Sequence, residues 1–83
     1  MPMNKIEQKQ FVDFVLSCLS EKPYQVNYEV ENQTLLIRMV FHLSQHDYAI
    51  QTETPLHTIE FYVAAPAVIR MIELQLQKYK EKY

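Results

Sequence analysis

Glycine is absent from this 83-residue sequence, and its absence excludes whole classes of nucleotide-binding enzyme. The phosphate loops of P-loop NTPases and of Rossmann domains need glycine, because a Cβ atom would keep the backbone away from the phosphate. The G-x-S-x-G turn that carries the nucleophile of many serine hydrolases is missing as well. We therefore expect neither an NTPase nor a Rossmann enzyme, and we expect no cofactor.

Cysteine occurs only once, at Cys18. A single cysteine excludes an intramolecular disulfide and a cysteine-rich zinc site, and a lone thiol suits a reducing compartment. Cys18 falls in the apolar part of a predicted helix. We expect it to be a small core residue and not a reactive nucleophile.

Long apolar runs are also lacking, since the longest reach only about five residues, far short of the roughly 20 that cross a bilayer. The N-terminal stretch MPMNKIEQKQ is polar and lacks the apolar segment of a secretory signal. The hydrophobic fraction of 48% is that of a globular protein. We expect one small domain over residues 1–83, cytoplasmic and without membrane contact.

The first predicted element is a helix capped by Asn4. Glu7, three residues later, can reach back to the backbone of Asn4, which is the capping-box pattern. The apolar residues that follow cover most of the helix circumference and leave a narrow polar stripe through Asp13 and Ser17. We expect the helix to end at Pro23 and to carry more apolar surface than one side of a small sheet can cover.

Two strands follow, and both are marked by the alternation of their side chains. Residues 24–31 alternate between apolar and polar side chains, and residues 34–43 are apolar at every odd position. Asn32-Gln33 is predicted to form the tight turn between them, since asparagine tolerates positive φ. Residues 44–46 are predicted to form the next turn.

The segment after the third predicted strand, residues 47–53, leaves two interpretations open. Residues 57–63 alternate and are rich in β-branched and aromatic side chains, which favours a fourth strand. Thr54-Pro55 can instead be the cap and first position of a helix. Pro66 is predicted to open the last helix, where a missing N–H costs nothing.

These elements predict an α+β fold in the order α-β-β-β-β-α. An antiparallel β-meander of three to four strands is flanked by N- and C-terminal helices packed on one face. Tyr28 and Ile50 are predicted to point towards the helices. The predicted core consists of Val26, Ile37, Met39, Phe61, Ile72 and Leu76.

The three histidines, His42, His46 and His57, lie in one stretch of the chain together with Asp47. A zinc cluster is one interpretation, but it needs three or four ligands that converge at about 2 Å, and this spacing across strand ends does not ensure convergence. A triad of Ser44, His46 and Asp47 is another, although sequence neighbours seldom face one another in a turn and no oxyanion hole is signalled. We expect ordinary residues at strand ends, no metal site, no catalytic residues and no enzymatic activity.

Charge is distributed unevenly, although the net charge is only −2. Residues 23–64 carry five acids against Arg38, a balance of −4, whereas residues 65–83 carry four basic residues against two acids, a balance of +2. An acidic sheet face with an apolar centre has the composition of many protein interfaces, although antiparallel sheets often leave one face in water. The predicted interaction surface is Glu29, Glu31, Leu36, Arg38, Val40, Glu53, Glu60 and Tyr62.

The sequence favours a small non-catalytic protein–protein interaction module that binds a protein partner through the acidic open sheet face or an edge strand. The spare apolar surface of the first helix, with Tyr79 and Tyr83 near the C-terminus, also predicts a homodimer. One alternative is a nucleic-acid-associated protein that uses the basic C-terminal helix, although phosphate binding needs a basic face and the sheet is acidic. The other alternative is a small metal-binding or catalytic domain based on the histidines.

Overall fold

The structure, a computed structural model, describes residues 4–56 and 61–82, without the side chains of Phe61 and Tyr62. Its elements are α1 (Lys5–Cys18), β1 (Gln25–Glu31), β2 (Thr34–Leu43), β3 (His46–Pro55) and α2 (Phe61–Lys82). The strands form an antiparallel meander in the order β1-β2-β3. The predicted α+β fold, with a meander between an N-terminal and a C-terminal helix, is confirmed.

The described residues form a hydrophobic core between the two helices and the strands β2 and β3. Its buried side chains are Phe11, Val12, Val15, Leu19, Leu35, Ile37, Met39, Phe41, Ile50, Leu56, Ala65, Val68, Ile72 and Leu76. The predicted core positions Ile37, Met39, Ile72 and Leu76 are confirmed, as is the inward direction of Ile50. The side chain of Phe61 lies outside the described part of the structure.

β1 is much less buried than its alternation predicts. Val26 is half-buried and packs against the edge of the core, whereas the side chains of Tyr28 and Val30 are 40% and 44% exposed. The reason is the position of the helix layer, because α1 packs on α2 and α2 lies along β3. Tyr28 points towards the helix side, as predicted, because it lies opposite the buried Ile37, but the helices do not cover it, and Val26 is only a marginal core residue.

The predicted fourth strand is wrong over residues 61–63, which form the start of α2, while residues 57–60 lie outside the described residues. The buried residues Val68, Ile72 and Leu76 recur at helical spacing in a helix of 22 residues. A long helical repeat is a stronger signal than period-two alternation over a few residues, and here the helix extends into the ambiguous segment.

The prediction that Pro66 opens the last helix is wrong, because Pro66 is the sixth residue of α2. Proline lacks the N–H that would bond to the carbonyl four residues earlier, so it removes one bond from the helix ladder. Pro66 is exposed, so its ring points away from the core. The helix therefore continues past this position with the loss of a single bond near its start.

The predicted capping box of α1 is confirmed. The backbone N–H of Glu7 donates to Asn4 Oδ1 at 2.8 Å, and the backbone N–H of Asn4 donates to Glu7 Oε1 at 3.2 Å. At the other end, α1 stops at Cys18, before Pro23, and the ammonium of Lys22 donates to carbonyls of the final turn. The acceptors are the carbonyl oxygens of Leu16, Ser17 and Leu19, at 2.7, 3.1 and 3.1 Å.

Cys18 is exposed, so the prediction that it belongs to the core is wrong. It lies in the last turn of α1, where the neighbouring residue Leu19 makes the core contact and is 4% exposed.

Just after α1, Ser20 is hydrogen-bonded to Glu73 of α2. The backbone N–H and the hydroxyl of Ser20 donate to the two carboxylate oxygens of Glu73 at 2.7 and 2.6 Å. The hydrogen bond from the Ser20 hydroxyl is the main reason that the pKa of Glu73 is lowered.

Both hairpins close with two residues in the left-handed region, in a chain that has no glycine to place there. Asn32 and Gln33 have φ of 51° and 59°, and Ser44 and Gln45 have φ of 51° and 68°. Positive φ at both positions is the type I′ pattern, which matches the twist of the paired strands. The second turn is one residue shorter than predicted, and His46 is already part of β3.

We expect Gln33→Gly to stabilise the protein by about 0.5–1 kcal/mol. A non-glycine residue in the left-handed region costs about 1–2 kcal/mol, and glycine removes this strain while adding some entropy to the unfolded chain. Denaturant titration measures the change in the free energy of unfolding. As a control, Gln51→Gly in the middle of β3 should destabilise, because extended backbone gains nothing from glycine. A destabilised Gln33→Gly variant would contradict this expectation.

Candidate interaction surface

The face of the sheet that points away from the helices, called the open face below, is defined by the strand register. Residues directly opposite one another in an antiparallel pair point to the same side of the sheet. All members of the open face are exposed or half-buried. They are Gln25, Asn27, Glu29 and Glu31 of β1, Thr34, Leu36, Arg38, Val40 and His42 of β2, and Asp47, Ala49, Gln51, Glu53 and Pro55 of β3.

Most of the predicted interaction surface is brought together on this face. The predicted residues that lie there are Glu29, Glu31, Leu36, Arg38, Val40 and Glu53. Glu60 lies outside the described residues. Tyr62 belongs to α2 and not to a fourth strand, so its predicted place on the sheet is wrong.

The acidic side chains of the open face surround an apolar centre. Leu36 lies directly between Glu29 on β1 and Glu53 on β3, at cross-strand separations of about 5 Å between Cβ atoms. Glu31 lies two residues further along β1, and Arg38 lies in the neighbouring row of β2. None of these four charged side chains forms an ion pair with another described residue, so their charges face solvent.

A shallow depression of about 210 Å³ runs beside this apolar centre. It is lined by Asn27, Tyr28, Glu29, Leu36, Arg38 and Gln51. Amide, carboxylate and guanidinium groups thus surround a leucine side chain. The depression offers hydrogen-bond donors and acceptors next to apolar area, without enclosing a small ligand.

A hydrogen-bonded cluster marks one end of the open face. Asp47 Oδ1 lies 2.8 Å from His42 Nδ1, and Asp47 Oδ2 accepts a hydrogen bond from the Tyr24 hydroxyl at 3.1 Å. Both bonds favour the ionised carboxylate, and they lower the pKa of Asp47, with the bond from His42 as the larger cause. The hydrogen bond to Asp47 also raises the pKa of Tyr24, because the carboxylate accepts the phenol proton and so stabilises the protonated form.

We expect Tyr24→Phe to raise the pKa of Asp47 towards its ordinary value. The substitution removes a hydrogen bond that stabilises the ionised form, and His42→Ala should raise the pKa further because it removes the larger cause. Titration of the side-chain carboxyl carbon by NMR measures both changes. Tyr28→Phe, in the same strand region but without a contact to Asp47, is the control and should leave the titration unchanged. An unaltered Asp47 titration in Tyr24→Phe would show that the Tyr24 contact does not form.

The histidines of the described residues do not converge on one point. His42 pairs with Asp47 on the open face, whereas His46 is opposite Leu43 and lies on the helix side, its ring 6.4 Å from that of Tyr48. His57 lies outside the described residues. Within residues 4–56 and 61–82, no group of three or more His, Cys, Asp or Glu side chains is placed to hold a metal ion.

The cluster around Asp47 is the part of the surface that sequence reasoning missed. A three-residue turn at 44–46 does not place Asp47 opposite His42, but the observed two-residue loop does. Tyr24 lies before β1, so it escapes the alternation that would place its side chain with Val26. The Ser44-Gln45 sequence does not predict a two-residue loop with positive φ, because glycine and asparagine are the usual residues at these positions.

The basic C-terminal end of α2 is partly neutralised. Lys80 Nζ lies 2.7 Å from Glu21 Oε1, and Lys80 also contributes to the lowered pKa of Glu73. Glu81 accepts a hydrogen bond from Gln77 at 3.4 Å within the same turns. This end of the helix therefore presents mixed charges and not a continuous basic surface.

Across the described ranges, neither helix is both long enough and apolar enough to span a bilayer. Comparison of the chain with family models, curated proteins and solved structures found no match.

Proposed function

We propose that this protein is a non-catalytic protein–protein interaction module and that the open face is its binding surface. The observation that carries the proposal is the row Glu29–Leu36–Glu53, in which an apolar side chain lies between two carboxylates on the open face. Interfaces combine an apolar centre that is desolvated on binding with a polar rim that confers specificity. The half-buried Leu36 and Val40 form such a centre, and the glutamates form such a rim.

The charge of the open face favours a partner with basic side chains. Glu29, Glu31, Glu53 and Asp47 outnumber Arg38, so the face has a negative potential that accelerates encounter with a cationic surface and repels polyanions. The complementary partner is a protein surface that places lysine or arginine around one or two apolar side chains. Nucleic acid fits this face poorly, because its binding depends on neutralising phosphates.

The absence of catalysis is part of the proposal. His42 and Asp47 form the pair in the described residues that most resembles an acid–base unit, and both side chains are more than half exposed. Effective acid–base and nucleophilic sites hold such groups in a water-excluding cleft beside the reacting atom. A cytoplasmic setting belongs to the same proposal, because the exposed thiol of Cys18 would remain reduced there.

Capture of partners from the host cell's soluble proteins tests the proposal when wild type is compared with charge-reversal variants. Glu29→Lys/Glu53→Lys should reduce capture of the partner by at least about tenfold, since each change reverses a charge beside the apolar centre. Asp13→Lys/Glu81→Lys is the matched control, because it reverses the same number of exposed charges on the two helices. Wild-type capture should also weaken as salt is raised, because exposed charges are screened.

The comparison distinguishes the open face from the rest of the surface. Loss of capture in the sheet variant but not in the helix variant supports the proposal. Equal loss in both variants, or equal retention in both, excludes the open face as the binding surface. Retention of DNA or RNA that both variants strengthen would instead indicate the nucleic-acid alternative.

A further inference from the structure

In the described part of the chain, β1 is an edge strand, and the helices leave the side chains on one of its sides exposed. It pairs only with β2 among the described residues, and Tyr28 and Val30, which point towards the helix side, remain 40% and 44% exposed. β3, at the other edge, differs, because its inward side chains Ile50 and Thr52 are buried beneath the helix layer. The two edges of the sheet are therefore unequal, and β1 is the one with apolar side chains to cover.

β1 has few of the features by which proteins block an edge strand. Edge strands are usually protected by charged side chains, above all lysine, by proline, by a bulge or by inward-pointing charges. Residues 25–31 contain no lysine and no proline, and their register with β2 is continuous. The charges of the strand, Glu29 and Glu31, both lie on the open face. Since no described residue other than those of β2 pairs with the strand, its outer edge can accept a further antiparallel strand.

We infer that β1 pairs with β1 of a second copy of this chain, antiparallel and about a two-fold axis that passes through Tyr28. The result is a six-stranded antiparallel sheet in the order β3-β2-β1-β1-β2-β3. Two-fold symmetric pairing of this kind is the commonest way in which identical chains associate. Both pairs of helices lie on one side of the joined sheet, and the two open faces form one continuous face on the other side.

The strand sequence is complementary to itself in this register. On the helix side, Tyr28 lies opposite Tyr28 of the other copy, and Val26 lies opposite Val30. On the open face, Glu29 lies opposite Asn27, and Glu31 lies opposite Gln25. Every carboxylate thus faces an amide that can donate a hydrogen bond, and every apolar side chain of the strand faces another apolar side chain.

Arrangements in which the axis moves by one or two residues towards the C-terminal end of β1, which shifts the pairing by two or four residues, are penalised. An axis through Glu29 places that carboxylate opposite its own copy, and an axis through Val30 places Glu29 opposite Glu31. Like charges directly opposite in an antiparallel pair destabilise it. Electrostatics therefore disfavours an axis C-terminal to Tyr28. Among the remaining axes, only the one through Tyr28, the middle residue of Gln25–Glu31, pairs all seven residues of the strand.

Pairing covers the surface that the fold leaves exposed. The side chains of Tyr28 and Val30 become buried against their counterparts, and the unpaired backbone groups of the edge acquire partners. A chain of 83 residues has a small core, so added apolar burial contributes a large share of its stability. The open face stays free in this arrangement, so pairing does not depend on what binds there.

Sedimentation equilibrium at micromolar concentration tests the association directly. Wild type should have twice the 10.0 kDa mass of the chain. Tyr28→Lys places two ammonium groups opposite each other at the axis and should give the monomer mass with an unchanged circular dichroism spectrum. Ile6→Lys changes the exposed apolar side chain of α1 and should keep the dimer. Should Tyr28→Lys fail to fold, Val30→Lys disrupts the same contact.

Disulfide cross-linking tests the register in a Cys18→Ser background. Tyr28→Cys places two sulfurs at the two-fold axis, where the Cα atoms are about 5 Å apart and a disulfide forms readily. Val30→Cys is the matched control, because its two copies are about 13 Å apart along the strands. Non-reducing electrophoresis after mild oxidation should give a cross-linked dimer for Tyr28→Cys and little for Val30→Cys.

A wild-type mass that stays at the monomer value at all concentrations would overturn the inference. A dimer that persists in both Tyr28→Lys and Val30→Lys would overturn it as well, and a dimer lost in Ile6→Lys alone would assign the contact to α1. A dimer that dissociates in Tyr28→Lys, with selective cross-linking at position 28, supports the β1 pairing and its register.

Discussion

Phe11→Ala is expected to destabilise the protein by about 3–5 kcal/mol, which is enough to leave a domain of this size largely unfolded. Phe11 is 0% exposed and is among the largest fully buried side chains. It lies on α1, which contributes two further buried residues, Val12 and Val15, to the core. Its truncation removes transfer free energy and leaves a cavity between α1 and the rest of the core that neighbouring side chains fill only partly.

Phe14→Ala is the matched control for this prediction. The same substitution is made three residues later on the same helix, but Phe14 is 37% exposed, so the expected cost is about 1 kcal/mol. Thermal and denaturant unfolding at one fixed protein concentration measures both changes, since self-association makes apparent stability depend on concentration. Equal losses in the two variants would mean that α1 does not pack on its Phe11 side.

Ile37→Ala is the second large effect, with an expected loss of about 2–5 kcal/mol. Ile37 is 0% exposed at the centre of β2, the middle strand, and its cross-strand neighbours are Tyr28 on β1 and Thr52 on β3. Because β2 is hydrogen-bonded to β1 on one side and to β3 on the other, its backbone cannot shift to fill the space that the truncated side chain leaves. The cavity therefore remains, and its cost adds to the lost burial.

Leu36→Ala provides the control within the same strand, one residue away. A strand turns successive side chains to opposite faces, so Leu36 lies on the open face and its truncation should cost about 1 kcal/mol or less. The pair of variants tests the register of the whole sheet, since a shift by one residue would exchange the two faces. A melting temperature that falls more in Leu36→Ala than in Ile37→Ala would contradict the observed register.

The two sides of β1 serve different proposals. Glu29 and its neighbours on the open face belong to the acidic surface around Leu36, whereas Tyr28 and Val30 on the other side belong to the edge that we infer to pair. Because alternate residues of a strand point in opposite directions, substitutions on one side leave the other side in place. Glu29 also lies opposite Asn27 in the inferred pair, so the capture test changes one residue of the strand contact. The association test changes only Tyr28 and Val30 and leaves the open face in place.

Local features of this protein are determined by short stretches of sequence. The capping box of Asn4 and Glu7 depends on two side chains and the backbone between them, and it forms as predicted. Period-two alternation predicts β1 and β2 close to their observed bounds, because the pleat imposes it on any strand with one apolar side. The same alternation assigns Leu36 and Glu53 to the open face and Ile37 to the core.

Tertiary structure decided what local patterns leave open. Residues 61–63 alternate like a strand but continue α2, because a short pattern has two regular solutions and packing of the whole helix selects one. Tyr28 and Val30 have the pattern of buried residues but are exposed, since alternation states only which way a side chain points. Whether the side chains on that side become buried depends on where α1 and α2 pack on the sheet. Their position over β2 and β3 results from helix–helix and helix–sheet packing among residues far apart in the chain, and these helices leave Tyr28 and Val30 exposed.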